Sequence, residues 1–376
     1  MLFPYKYVPH QMDRMQKFIN FIFYQVWCRA PKAGPFDLDL FAGNPDLKEV
    51  MEAFLYSDTK GAYFFYGHVE GIYQLFSKLS RTEIKQLKRW YQGNNNIQKV
   101  CENDPSTQIA RYSDIPQQKK VLNQKLSQFF CGLYDNIGIA ALKQKIGDIE
   151  GHYKLFMSVN KTGKCPFCGI ADMQGVFHST REAYDHYLPK GLYPFNSINF
   201  RNLVPACHHC NSSYKTSKDP AFIPKDPTGA THRRKVFYPF ANSSYNIEVT
   251  IDLKKTDIDH LVPDDIQLAF GPPVLNEEIE TWKDIYGIEE RYKGKLIDGD
   301  GKAWLIEVLD EWKWQEESSG IDGRSPNDYL RNLKRHTEKF PFASSNFLKN
   351  AFLDGCDRAG LFSIKEDTFE ADNQKP

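Results

Sequence analysis

The chain has 376 residues, of which 41% are hydrophobic and 14% aromatic, so it can bury packed cores in two or three domains. Its 48 basic side chains balance its 48 acidic ones, so the net charge of zero gives no overall attraction to nucleic acid or to an anionic membrane. Any such attraction must be local. The most apolar early run, residues 18–28, is too short to span a bilayer, and we expect a cytoplasmic protein.

Residues 1–157 are expected to form a mostly helical region. Ser80 and Glu83 have the spacing of a capping box, which predicts a helix start. The GNNN segment after Tyr91 predicts the end of that helix. Further helical patterns cover residues 12–26, 117–134 and 139–156.

The composition changes after residue 157. Residues 158–222 are richer in cysteine, proline, glycine and asparagine and have little periodicity, which indicates a small domain centred on a metal. Residues 223–376 begin with a connector rich in proline, glycine and lysine and are predicted to be mixed helix and strand. Strand patterns cover 245–253 and 266–270, and a helical pattern covers 277–292.

Two Cys-x-x-Cys pairs, Cys165 with Cys168 and Cys207 with Cys210, lie about forty residues apart. Each pair can place two thiolates on one turn, and two such turns complete a tetrahedral site. Soft sulfur ligands favour zinc, and four protein ligands leave no position open for chemistry. The other four cysteines are scattered singly, as buried thiols usually are, so we expect structural zinc in a reducing compartment.

Polar residues accompany this cysteine frame. Asp185 and His186 lie between the pairs, Asn202 follows them, and Asn211 comes directly after the last cysteine. Their neighbours are mostly apolar. A strand would point Asp185 and His186 to opposite sides, so both can face one site only if the chain bends or the site lies at the strand edge.

Together these residues resemble the HNH endonuclease family in its His-Asn-Asn form with paired zinc knuckles. The resemblance rests on DHYLPK at 185–190, NL at 202–203, CHHCN at 207–211 and the following Lys215, and it covers residues 160–220. It implies an α+β protein. A central ββα-metal domain with structural zinc would be flanked by a mostly helical N-terminal region and a mixed α/β C-terminal region.

The resemblance also implies roles for individual residues. His186 would be the general base that activates water, and Asn202 would tie the hairpin loop and orient the histidine. Asp185 and Asn211 would bind a catalytic Mg²⁺ or Mn²⁺, and Lys215 would contact phosphate. An imidazole that titrates near neutrality suits proton abstraction, and a hard cation on oxygen ligands suits charge stabilisation on phosphate.

Structural alternatives remain open for several of these residues. A lone histidine is more often structural than catalytic. Asn211 could instead cap a helix. The family lysine often follows the last cysteine by four residues, a position that Tyr214 holds here, so the phosphate role of Lys215 rests on a shifted match.

A local excess of positive charge lies beside the predicted site. Residues 201–240 contain seven basic side chains and two acidic ones, a surplus of five on a neutral chain. Such a strip suits contacts with a phosphate backbone, although an ordinary solvated linker would look similar. The candidate nucleic-acid contacts are Lys215, Lys218, Arg233, Arg234 and Lys235.

The expected function is metal-dependent endonuclease activity on nucleic acid, with DNA favoured. HNH domains of this style look like those of prokaryotic defence and mobile-element systems, the Septu nuclease subunit among them. That resemblance implies a nuclease held or triggered by a partner such as an ATPase. The alternatives are a non-catalytic zinc-knuckle module that binds nucleic acid or protein, and a nuclease that is active only in complex.

Overall fold

The computed structural model describes residues 1–224, 231–319 and 326–363, and these residues form two compact units. The first unit comprises Met1–Tyr245 and Glu277–Tyr286. The second comprises Asn246–Asn276 and, so far as it is described, Gly287–Pro376. The described chain is mostly helical, with one two-stranded antiparallel sheet in each unit.

The first unit is built mainly from helices. They are α1 (Asp13–Phe21), α2 (Ala30–Ala33), α3 (Pro45–Leu55), α4 (Lys60–Phe76), α5 (Arg81–Asn95), α6 (Ile97–Cys101), α7 (Lys120–Leu133), α8 (Ala140–Ile146), α9 (Ile149–Val159) and α10 (Asn276–Tyr286), of which Asn276 belongs to the second unit. Its strands are β1 (Tyr184–His186) and β2 (Leu203–Pro205).

Helix α5 begins and ends as the sequence predicts. The Ser80 hydroxyl accepts from the Glu83 amide, and the Glu83 carboxylate accepts from the Ser80 amide, so the capping box is confirmed. The helix runs to Asn95 and Asn96 is its C-cap, so the GNNN segment ends it. The buried Asn94 side chain fixes this end, because it donates to the carbonyl oxygens of Ala110 and Pro194 at 2.8 and 2.9 Å.

Two long helical patterns are each divided at a glycine. The pattern over 139–156 becomes α8 and α9, separated by Gly147 at φ 78°. The pattern over 277–292 becomes α10 and a following helix, separated by Gly287 at φ 58°. Glycine adopts these left-handed conformations without steric cost, and they end a helix. Periodicity alone does not reveal such a break.

The central segment has an apolar core as well as its cysteines, which corrects the expectation that a metal alone would organise it. Phe167, between Cys165 and Cys168, stacks on the Tyr286 ring with centroids 4.6 Å apart. The Trp282 indole donates to the Phe167 carbonyl oxygen at 2.5 Å. Both contacts come from α10, more than a hundred residues away in sequence, so they were not visible in the local composition.

The second unit packs a helix on a hairpin. Strands β3 (Glu248–Leu253) and β4 (Ile266–Gly271) pair antiparallel, and α11 (Ile288–Lys295), α12 (Gly301–Ser319), α13 (Pro326–Thr337) and α14 (Asn346–Arg358) follow. Gly355 allows α14 to approach β3 closely, because a Cβ there would lie 2.4 Å from the Ile251 carbonyl oxygen. Arg358 then reaches Asp252 at 2.8 Å.

The eight cysteines all lie within the described ranges, and none forms a disulfide. No helix among the described residues has both the length and the apolar character needed to cross a bilayer.

We predict that Gly93→Ala destabilises the first unit by about 2 kcal/mol or more, because the added Cβ would lie 1.9 Å from the backbone oxygen of Gln108. Gly71→Ala in α4 is the matched control. A Cβ there meets no atom within 4 Å, so alanine should be neutral or stabilise by up to about 1 kcal/mol. Urea unfolding of both variants tests this, and equal stability of the two would contradict the close approach of α5 to residue 108.

Candidate active site and metal centre

Four thiols form the best-defined cluster of the first unit. The Sγ atoms of Cys165, Cys168, Cys207 and Cys210 all lie within 4.8 Å of one another, and all four residues are buried. Tetrahedral zinc with bonds of about 2.3 Å separates its sulfur ligands by about 3.8 Å, so the cluster has suitable dimensions. The four cysteines can therefore bind a metal ion such as zinc.

The electrostatics of the cluster also suit a cation. Burial raises the pKa of the Cys165 and Cys210 thiols well above their usual range. A hydrogen bond with Cys165 lowers the pKa of Cys207. Buried thiolates without a counter-charge are unfavourable, and a bound Zn²⁺ supplies that charge.

The two cysteine pairs flank a short antiparallel hairpin. Tyr184, Asp185 and His186 of β1 pair with Pro205, Val204 and Leu203 of β2, in that order. A helical turn, His209–Lys215, follows the second pair. The side chains of Asp185 and His186 make different contacts, as expected for neighbours on a strand. A continuous ββα-metal domain is not shown by these elements alone.

The His186 ring is half-buried and fixed by two contacts. Its Nε2 lies 2.9 Å from the Ser197 carbonyl oxygen, and because a carbonyl only accepts, Nε2 carries the proton. In the neutral ring Nδ1 is then the basic atom. The Tyr134 ring packs edge-on at 4.8 Å. Burial, aided by the charge of Lys190, lowers the pKa of His186 to about 3. The ring is therefore neutral at physiological pH, but it does not titrate near neutrality, which corrects the expectation from the sequence.

Asp185 forms a buried ion pair with Lys215. The Lys215 ammonium lies 2.8 Å from Asp185 Oδ1 and 2.9 Å from the His186 carbonyl oxygen, and the side chains are 0% and 3% exposed. Asp185 Oδ2 is buried and has no hydrogen-bond partner among the described atoms. Burial raises the pKa of Asp185, although Lys215 opposes that shift. Of the two carboxylate oxygens of Asp185, the predicted metal ligand, Oδ1 is thus bound by an ammonium group. Oδ2 makes no hydrogen bond among the described atoms.

Asn202 is fully buried and ties together the beginning and the end of the hairpin loop. Its Oδ1 accepts from the Leu188 amide at 2.7 Å, and its Nδ2 donates to the carbonyl oxygens of Leu188 and Asn196 at 3.0 and 3.3 Å. Ser197, which holds the His186 ring, directly follows Asn196. The Asn202 side chain therefore constrains the segment that orients the histidine.

Asn211 lies inside the helical turn rather than at its start. Its amide donates to the Cys207 carbonyl oxygen at 3.0 Å, and its own carbonyl accepts from Thr216 at 2.9 Å. The residue that precedes the turn, His208, makes no side-chain cap. Asn211 is therefore not positioned as an N-cap. Its half-exposed side-chain carboxamide does not cap this helical turn.

The basic strip has its own structural contacts. Lys215 is buried in the ion pair with Asp185 and does not reach the surface. Arg233 donates to the carbonyl oxygens of Asp104 and Thr107, both at 3.2 Å. Arg234 is 8% exposed and pairs with Asp284 at 2.8 Å. These three side chains stabilise the first unit.

Two further lysines of the strip are exposed but also have partners. Lys218 donates to the Asp284 carbonyl oxygen at 3.0 Å, and Lys235 lies 3.9 Å from Glu277. Lys225, which contributed to the predicted charge surplus, lies outside the described residues, as do residues 226–230 of the predicted connector.

Sequence reasoning missed the asparagines of α5. Asn94 donates to Pro194, Asn196 donates to the Asn94 carbonyl oxygen at 3.3 Å, and Asn199 donates to Asn95 at 3.1 Å. These bonds anchor the same loop that holds His186. The signal was present in the GNNN segment, which is unusually rich in side chains that bond to backbone, but its partners lie a hundred residues away.

Comparison with known proteins gives one distant similarity. A segment of 116 residues is 28% identical to the Septu protein PtuB of Bacillus thuringiensis, and it covers 30% of this chain. The match spans 44% of that relative, less than half of its length. No protein-family profile matches the chain, and no solved structure matches it. The chain is thus distantly similar to a Septu protein, and its family is not fixed by these comparisons.

We predict one zinc ion per chain and its loss in Cys165→Ser, with a large fall in stability, because structural zinc contributes on the order of 10 kcal/mol. Cys131→Ser is the control, since its hydroxyl can keep the bond that the thiol makes to the Lys190 carbonyl oxygen at 3.1 Å. Elemental analysis and thermal unfolding of both variants test this. Zinc retained at wild-type stoichiometry in Cys165→Ser would refute a four-cysteine zinc site.

Proposed function

We propose that the protein is a metal-dependent HNH-type endonuclease that hydrolyses phosphodiester bonds of nucleic acid, with DNA favoured. The observation that carries the proposal is the fixed His186 ring. Its Nε2 is bound to the Ser197 carbonyl oxygen at 2.9 Å, and Nδ1 remains as the basic atom in a hairpin flanked by the four-cysteine cluster. A purely structural zinc knuckle has no need of a histidine held in one tautomer.

The chemistry follows from this tautomer. In the proposed reaction a water molecule gives a proton to His186 Nδ1 and its oxygen bonds to phosphorus. The bond from phosphorus to the leaving oxygen breaks, and that oxygen takes a proton from solvent. Throughout, Nε2 keeps its own proton, which is donated in a hydrogen bond to the Ser197 carbonyl oxygen. Asn202 holds the loop, so the ring does not rotate away from the attacking water. Asp185 and Asn211 would bind Mg²⁺ or Mn²⁺, which supplies charge stabilisation to the phosphate and to the leaving oxygen. The unpartnered Asp185 Oδ2 supports this assignment.

The distant similarity to a Septu protein supports a role in defence. We propose that the chain is an effector of such a system, acts in the cytoplasm and works with a partner such as an ATPase. We also propose domain boundaries at residues 157 and 222. Residues 158–222, which contain the hairpin and the four cysteines, would then form the nuclease domain.

A second candidate, a nuclease that is inactive until a partner engages it, is favoured by the Asp185–Lys215 pair. The ammonium group lies 2.8 Å from one oxygen of the proposed metal ligand and repels a divalent ion. The free protein would therefore bind the catalytic ion weakly. Moving the helical turn that carries Lys215 would relieve this repulsion.

We predict that His186→Ala lowers cleavage of plasmid DNA in Mg²⁺ or Mn²⁺ by at least about a hundredfold, the usual contribution of a general base. His260→Ala is the control, because this exposed histidine of the second unit pairs only with the nearby Asp257 at 2.8 Å. Zinc content and unfolding temperature should match across the wild type and both variants. Equal cleavage by wild type and His186→Ala would remove His186 from the mechanism.

We predict that Lys215→Met destabilises the zinc-loaded protein, without added Mg²⁺ or Mn²⁺, by about 3 kcal/mol, since it leaves the Asp185 carboxylate buried and unpaired. Lys190→Met removes a half-exposed ion pair with Asp135 at 3.1 Å and should cost less than about 1 kcal/mol. Added Mn²⁺ should raise the unfolding temperature of Lys215→Met more than that of wild type. If Mn²⁺ stabilises both proteins equally, Lys215 does not compete with the ion.

A further inference from the structure

A cavity of about 570 Å³ lies in the first unit beside the end of α5, and a second cavity of about 330 Å³ adjoins it. Gln92 and Asn96 line both cavities, so the two lie side by side, and together they are called the groove. The volume of the larger cavity is within the range of small-molecule sites. None of the residues assigned to zinc or to catalysis lines the groove.

The groove lining has an unusual chemistry for a neutral chain. Three basic side chains, Arg89, Lys99 and Arg201, line it, and no acidic one does among the described residues. Amide side chains dominate the larger cavity: Asn20, Gln92, Asn95, Asn96, Gln98 and Asn242. A side-chain amide carries both hydrogen-bond donors and an acceptor, so it can pair with the acceptors and donors on the edge of a nucleobase.

Two contacts fix the Arg201 guanidinium in a position that suits anion binding. Its guanidinium carbon lies 4.2 Å over the Tyr7 ring, and Nη1 donates to the Tyr238 hydroxyl at 3.3 Å. No carboxylate lies within 4.0 Å of Arg201 in the part of the chain that the structure describes. An exposed, planar guanidinium that is fixed on an aromatic ring, and that forms no ion pair among the described residues, is well suited to bidentate contact with phosphate.

The groove is joined to the candidate active site by one loop. Asn199 donates to the backbone and side-chain oxygens of Asn95, both at 3.1 Å, and Asn95 lines the groove. The Asn199 side chain in turn accepts from the Arg201 amide at 3.0 Å. Two residues before Asn199, the Ser197 carbonyl holds His186. A ligand of the groove would touch the loop that orients the proposed base.

We propose that this groove binds a nucleotide, with the phosphate on Arg201 and the base among the amides, either as a free nucleotide or as one unit of a strand. Tyr24, Ile97 and Phe240 supply the apolar part of the wall against which a base can lie. The site goes beyond the proposed cleavage chemistry, and binding to it does not require that chemistry.

The test measures binding rather than cleavage, in a His186→Ala background without added Mg²⁺ or Mn²⁺. Titration calorimetry with adenosine, guanosine, cytidine and uridine 5′-monophosphates, and separately with short oligothymidylate, distinguishes a free nucleotide from a strand. Arg201→Met should weaken binding at least about tenfold, because it removes a charge-assisted contact. Arg335→Met, at an exposed arginine of the second unit, should leave the affinity unchanged.

A second pair of variants keeps the test valid if Arg201→Met does not fold. Gln92→Glu places a carboxylate of the same size on an exposed groove residue and should also weaken binding, whereas Gln74→Glu on the exposed face of α4 should not. Binding of either probe with this pattern supports the proposal. If neither probe binds, or if Gln92→Glu and every folded Arg201 variant bind as tightly as the parent, the groove is not a nucleotide site. The proposed nuclease is then unaffected, because its own test is cleavage.

Discussion

The candidate site depends on the close approach of four thiols. Cys165 and Cys168 are brought to Cys207 and Cys210, which closes a loop of the chain that contains β1, Ser197, Asn202 and β2. The two strands have three residues each, too few for a hairpin to be stable by its own backbone bonds. A metal ion bound by the four thiols would cross-link the flanks of the two strands and stabilise the short ladder.

Within that loop, side-chain amides rather than backbone pairing set the geometry. Asn202 spans the loop to Leu188, and Asn94 of α5 holds Pro194 and receives a bond from Asn196. Buried amides of this kind must satisfy most of their donors and acceptors, so each allows few alternative arrangements. The loop that positions the His186 ring is therefore closed on itself by Asn202 and anchored to the helical part of the unit by Asn94.

What could be predicted from the sequence depends on how local the physical signal is. Ser80 and Glu83 are three residues apart, as are the two cysteines of each pair, so both signals are local in the sequence. The structure contains both the capping box and a cluster of the four thiols. The GNNN segment also ends α5 as predicted, but the partners of Asn94 could not be predicted, because Ala110 and Pro194 lie farther away in sequence. The burial of Lys215 was equally hidden, since a lysine in a basic strip is usually exposed and only the fold brings it beneath β1.

The buried pair of Asp185 and Lys215 would make the proposed loading of a cation an exchange reaction. The carboxylate already has a counter-ion, the Lys215 ammonium, which is tethered to the chain five residues after Cys210. A divalent ion bound by Asp185 would therefore have to outcompete a lysine that cannot diffuse away. The helical segment that carries Lys215 also contains Cys210, so the thiol cluster and the lysine would not move independently.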